Sequence, residues 1–105
     1  MADIKKFFLE TLTEKLAANP SLASGINAVY QFNLGDGGAY TVDLTKEGGS
    51  VVEGVADNAG CVVTAAGADF SGLLDNPSKA IMMFTLGKLK VSNVALGMQL
   101  QKILG

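Results

Sequence analysis

The residues able to do chemistry in this chain are few, and their types restrict what that chemistry is. There is no histidine, which removes the usual general base, the usual proton shuttle and the commonest metal ligand together. All eight basic residues are lysines, so no guanidinium fork is available to clamp a phosphate or carboxylate. Cys61 is the sole cysteine. It can form neither an internal disulfide nor a cysteine cluster for zinc, and as a nucleophile it has no histidine to activate it. A small buried hydrophobe in a strand is the expected role for Cys61. Carboxylates remain. Asp43 falls on the polar face of a predicted strand, while Asp36, Asp57, Asp69 and Asp75 fall in turns or helix starts, where Asp69 suits the helix dipole. No two are spaced as a catalytic dyad. The sequence predicts a protein that is not an enzyme and uses no metal and no cofactor.

Glycine-rich turns are the next candidates. Gly35-Asp36-Gly37-Gly38 and Gly48-Gly49 invite a phosphate-binding reading, but neither GxxxxGK[ST] nor GxGxxG is present, and strands flank the first on both sides. Both read as turns.

Composition narrows the class further. At 105 residues the chain has room for one core. With 49% hydrophobic and 17% charged residues it is not a disordered sequence, and no apolar run is long enough to span a bilayer. Net charge is −2 with scattered lysines, a poor match for nucleic acid. The opening Met1-Ala2-Asp3-Ile4-Lys5 has an acid where a secretory signal has its basic region, so a cytoplasmic protein is expected.

These residues must be held by an ordered set of elements. Asp3 can cap a helix in which Ile4, Phe8, Leu12 and Leu16 recur at helical spacing, ended by Asn19-Pro20. Residues 21–27 read as a turn or a short helical piece. From Ala28 the period becomes two: Tyr30, Phe32 and Leu34, then Tyr40, Val42 and Leu44, form a hairpin with one buried face. Strands follow near 50–55 and 60–65, separated from their neighbours by turns at 46–49 and 57–58. Two short helices come next, over about 67–74 and after Asn76-Pro77. A strand at 88–91, whose lysines suit an edge, and a last helix over about 93–104 complete the chain. This order indicates an α+β domain with helices packed on one sheet face.

Two segments stand out. Ile81-Met82-Met83-Phe84 points around the whole helix circumference, so that helix is either core or the wall of a cavity. In the last helix, Val94 and Met98 lie opposite the Leu96, Leu100, Ile103 and Leu104 stripe. One set therefore needs another partner: a ligand, a second subunit, a membrane surface or water.

The chain resembles the sterol carrier protein-2 family from about Val29 to Leu104. The resemblance rests on Phe32-x-Leu34 with the run from Ala39 to Leu44, on Cys61-Val62-Val63-Thr64 with Asp69-Phe70, and on the run Gly87 to Val91 followed by Asn93 and a leucine-rich helix. Tyr40, Gly60 and Ser92 depart from the family's usual residues. The resemblance implies a single domain over 1–105, with a five-stranded sheet, helices on one face and a hydrophobic tunnel between them. It implies a non-catalytic carrier of one fatty acid, fatty acyl-CoA, sterol or phospholipid. Phe70, Leu74, Met82, Met83, Phe84, Leu86, Leu89 and Val91 are expected to line the tunnel, and Leu96, Met98, Leu100 and Ile103 to form a flap. Phe32, Tyr40, Val42 and Val63 are expected to make the floor. The expected partners are a lipid or fatty acyl ligand and a transient membrane surface, not nucleic acid, for a monomer or weak dimer. The alternative is a closed-core interaction or accessory module that uses the outer apolar side of the last helix.

Overall fold

A computed structural model describes residues 3–46 and 48–104. Met1, Ala2, Glu47 of the expected 46–49 turn, and Gly105 lie outside the described residues, as does the side chain of Leu104 from the last-helix stripe.

The first helix runs over 4–18, and Asp3 caps it by accepting from the Lys6 amide at 3.1 Å. Its middle, Phe7–Leu12, is π-helical, which the apolar spacing does not reveal. The Thr13 hydroxyl donates to the Phe8 carbonyl at 3.1 Å beside the wide turn. Phe8, Leu12 and Leu16 all descend into the core, as their spacing predicts. Pro20 then opens a second helix, Pro20–Ile26, so of the two alternatives for residues 21–27 the short helical piece is the one that forms. Asn27 ends it in the left-handed conformation (φ 50°), which asparagine tolerates.

Five strands form one mixed sheet: β1 Val29–Asn33, β2 Ala39–Asp43, β3 Ser50–Glu53, β4 Cys61–Ala65 and β5 Leu89–Val91, in the order β3-β2-β1-β4-β5. Only the β1–β4 pair is parallel. Opposed residues carry the expected alternation across the sheet. Tyr30 pairs with Val42 and Cys61, Phe32 with Tyr40 and Val63, and Val63 with Val91. Their common face is the one the helices cover. Gly35 (φ 58°) and Gly38 (φ 95°) supply the positive angles of the first hairpin. Strand β5, with Lys90 turned to the opposite face from Leu89 and Val91, is an edge, as expected.

The opposite face holds one departure from the two-residue pattern. Gln31, on the nominally polar side, is buried. The chain after β3 folds back across it: Gly54 donates to the Ala39 carbonyl, and the Ala56 amide donates to Gln31 Oε1 at 2.6 Å. Thr41 donates to the same oxygen at 2.9 Å and also reaches the Gly54 carbonyl at 3.0 Å. Burial of a polar side chain is tolerated because each of its atoms is paired. Gln31→Leu strands the Ala56 amide and should cost about 1–3 kcal/mol. Urea unfolding checks this; a change below about 0.5 kcal/mol would mean that water replaces the side chain at no cost.

The core is centred on Phe8 of the first helix. Its ring stacks on Tyr40 (4.4 Å between centroids), leans on Phe32 (5.0 Å) and reaches Phe70 (5.7 Å). This cluster packs the space over β1 and β2.

Candidate functional site

The other half of the helix-covered face is not filled. A cavity of about 250 Å³ lies over β4 and β5, and its lining is almost wholly apolar. Val63, Leu89 and Val91 make the floor, while Phe70 and Leu73 of helix Gly67–Asp75 make one wall. Ala80, Ile81 and Phe84 of helix Ala80–Thr85 form a second wall. Val94, Gly97 and Met98 of the C-terminal helix, Val94–Gln99, close it together with Leu100 just beyond that helix. Ile81, Phe84, Val94 and Met98 are exposed as well as lining, so they form the mouth of an open groove.

Four features place the C-terminal helix. Asn93 caps it through the Leu96 amide at 3.1 Å. The Tyr30 hydroxyl donates to the Leu96 carbonyl at 2.6 Å, and Lys15 Nζ donates at 3.0 Å to the Ile103 carbonyl of the short helix that follows, Gln101–Leu104. The helix also rests directly on β5, because Gly97 has no side chain: a Cβ there would meet Val91 at 3.0–3.2 Å.

The Tyr30 contact has a pH signature. Burial, with Cys61 nearby adding to it, pushes the phenol up to about 12. Between pH 10 and 12 the unfolded chain loses this proton while the folded chain keeps it. The folded state then binds more protons, and stability falls as pH rises through this window; below pH 10 the contribution is fully present. Tyr40 is raised in the same direction, by burial first and then by Glu53 and Asp3. Tyr30→Phe should therefore cost about 0.5–1.5 kcal/mol at pH 8 and flatten, without abolishing, the alkaline decline. Urea midpoints measured across that range test it, and an unchanged slope in the variant would disprove the assignment.

Of the residues expected to bind lipid, Val63, Phe70, Phe84, Leu89, Val91, Met98 and Leu100 line this groove. The others are placed elsewhere. Phe32, Tyr40 and Val42 are core residues under the first helix, because Phe8 occupies the space above them. Met83 and Ile103 are buried in the core, and Leu74 and Leu96 are half-buried against it. Met82 and Leu86 are exposed outside the groove. Helix Ala80–Thr85 is thus core at Met83, wall at Ile81 and Phe84, and outward at Met82. Leu73, Ala80, Ile81, Val94 and Gly97 line the groove without having been singled out as tunnel residues. Ile81 and Val94 carried a signal in the all-round helix and the two-sided last helix. Ala80 and Gly97 carry none: Ala80 contributes by the space it leaves unfilled, and Gly97 by letting its helix sit directly on Val91.

The lining offers no ionisable or nucleophilic side chain. Cys61 is buried, its thiol pointing to the Asn93 carbonyl at 3.6 Å. Asp43 accepts from the Thr45 hydroxyl and amide, which hold its carboxyl below the usual range; this is an exposed local turn and not an acid–base site. Among the described residues no group of three carboxylate, cysteine or histidine side chains gathers as a metal site. No helix among them is long and apolar enough to cross a membrane.

The architecture is an α+β domain of helices on one sheet face, with an open apolar groove beside a packed core. Residues 9–105 match the SCP-2 sterol transfer family, and the chain belongs to it. The rat hydroxysteroid dehydrogenase-like protein 2 is 41% identical over 81 residues, covering 73% of this chain but 16% of that protein. The chain thus spans about a sixth of the length of that relative. Sterol carrier protein 2 from Yarrowia lipolytica, in its apo form, superposes with a TM-score of 0.74 at 24% identity, covering 99% of this chain and 92% of that one. The sterol carrier protein domain 2 of Helicoverpa armigera gives 0.79 at 19% identity, covering 97% and 85%. The five-stranded α+β fold is that of these structures.

Proposed function

We propose that residues 1–105 act as one non-catalytic domain that takes up a single apolar lipid chain in the groove over β4 and β5. The observation that carries this reading is the lining itself: an open cavity of about 250 Å³ beside a fully packed core. A domain that needed only stability would fill such a space, since empty apolar volume is destabilising.

Binding is by the hydrophobic effect. Burying roughly 300 Å² of acyl chain gains about 7–8 kcal/mol, and association and ordering take back several of these. Micromolar or somewhat tighter affinity follows, with weak selection by chain length. The volume is below the roughly 300–1,000 Å³ of typical ligand pockets. As it stands the groove therefore takes part of a long chain, the rest leaving through the mouth between Ile81 and Met98. The apolar lining gives a headgroup no partner, so fatty acids, acyl-CoA, sterols and phospholipids remain in one ligand class, with the polar end outside.

Native mass spectrometry of freshly purified protein, followed by displacement of a fluorescent fatty acid, tests the proposal. Co-purified lipid and probe binding at micromolar concentration are expected. Absence of both at tens of micromolar would remove the carrier reading. The similarity to longer dehydrogenase-like proteins supports a second reading, in which the same domain presents lipid to a catalytic partner.

A further inference from the structure

The side chains that line the groove differ in exposure, and this gives it an outer and an inner end. Ile81, Phe84, Val94 and Met98 are exposed, whereas Val63, Phe70 and Leu73 are wholly buried. A chain that enters between Ile81 and Met98 therefore travels inward towards Phe70. That residue belongs to two environments at once. Its ring lines the groove, and it also packs on the aromatic cluster over β1 and β2: Phe8 lies 5.7 Å away with 11° between the ring planes, and Phe32 lies 5.7 Å away at 65°. The backbone sets this position. Helix Gly67–Asp75 begins hard against the first hairpin turn, where a Cβ on Gly67 would meet Asp36 Oδ1 at 2.7 Å and the Gly37 amide nitrogen at 3.0 Å. Phe70, three residues on, shares that helix face, and its amide donates to the Ala66 carbonyl at 2.9 Å in the first turn.

We infer that Phe70 is the stop that sets how much of an acyl chain the groove holds, an inference that rests on the carrier reading above. Phe8 and Phe32 back its ring, and a packed core leaves no room for a displaced ring to enter. A chain end that reaches Phe70 goes no further, so additional methylenes stay outside the mouth and add nothing to binding. Chains long enough to reach the ring are then held alike, which is the physical source of the weak length selection. The same geometry makes Phe70 a specificity determinant. A smaller side chain here extends the groove inward, into apolar space walled by Phe8 and Phe32. Such a space stays dry and accepts apolar atoms. Enlargement at Met98 widens the mouth and adds no depth.

Saturated fatty acids from octanoate to stearate, competing against a fluorescent fatty acid on the full chain, test this. For the unaltered protein, affinity should rise about fourfold per methylene and level off once the chain reaches Phe70. In Phe70→Ala, with room for about two more methylenes, the levelling should come about two carbons later, and the long acids should gain about fifteenfold over the short ones. Phe70→Leu vacates less and keeps more of the core, so it should move the levelling by about one carbon and fourfold. Thermal unfolding shows which variants are folded, and Phe70→Leu decides the matter if Phe70→Ala does not fold. Met98→Ala should leave the levelling length where it is. A levelling length that stays put in the folded Phe70 variants, or a uniform loss of affinity at every length, would overturn the inference and reduce Phe70 to core packing. Failure of the unaltered chain to bind the probe or any acid would remove the carrier reading itself, and the role of Phe70 with it.

Discussion

Ala80→Trp is expected to reduce fatty-acid binding by roughly sixtyfold while leaving the fold intact. Ala80 is half-buried at the start of helix Ala80–Thr85 and lines the groove beside Ile81 and Phe84. An indole at that position projects into existing empty space. If it denies the ligand roughly 100 Å² of apolar contact, about 2.5 kcal/mol of binding is lost. The domain itself loses nothing comparable, since filling a void adds contacts. The measurement is a fluorescent fatty-acid titration beside thermal unfolding. Met82→Trp is the control: Met82 is exposed outside the groove, so its variant should bind normally. If Ala80→Trp binds as the unaltered chain does, or if Met82→Trp is the one that loses affinity, the groove is assigned to the wrong side of the helix.

The largest stability effect is expected at Phe8. Its ring is wholly buried and touches Tyr40, Phe32, Phe70 and Phe7. Phe8→Ala removes the centre of that cluster and should cost about 3–5 kcal/mol. For a domain of this size that corresponds to a fall in Tm on the order of 15–30 °C. Because stability totals about 5–15 kcal/mol in native proteins, the variant should be partly unfolded at 37 °C. Circular dichroism during heating checks it. Met98→Ala, which shortens an exposed groove-mouth side chain, should shift Tm by only a few degrees. A small effect at Phe8 would mean that the first helix is not the lid of a packed core, and that the space over β1 and β2 is open to ligand after all.

That last point is where sequence and structure part. Phe32, Tyr40 and Val42, expected on the floor of a lipid site, are buried in the core beneath the first helix. Their alternation shows which side of the sheet is covered, but not which helix covers it. The deciding contact, Phe8 on Tyr40, joins residues 32 positions apart, and no local period encodes that distance. The parallel β1–β4 pairing is of the same kind, since it depends on the route of the chain after β3. Gln31 shows the converse. A polar residue in an alternating strand signals solvent, yet a loop 25 residues later supplies the hydrogen bond that allows it to be buried.

The feature closest to being legible was the apolar helix at Ile81–Phe84. Its four residues call for core or cavity wall; Met83 is core, Ile81 and Phe84 line the groove while remaining exposed, and Met82 meets neither expectation.

What the sequence determined by itself is the chemistry the protein lacks residues for, and the order of its elements. Absence of histidine and arginine and the single Cys61 are facts of composition, and helical and strand periods are local, so both survive without knowledge of the fold. The family resemblance then matched the SCP-2 model over residues 9–105. Only the tertiary structure decided which apolar residues are core and which are groove. The two are made of the same side chains, and they differ in whether another part of the chain arrives to fill the space: Phe8 does so over β1 and β2, and Ala80 is too small to do so over β4 and β5.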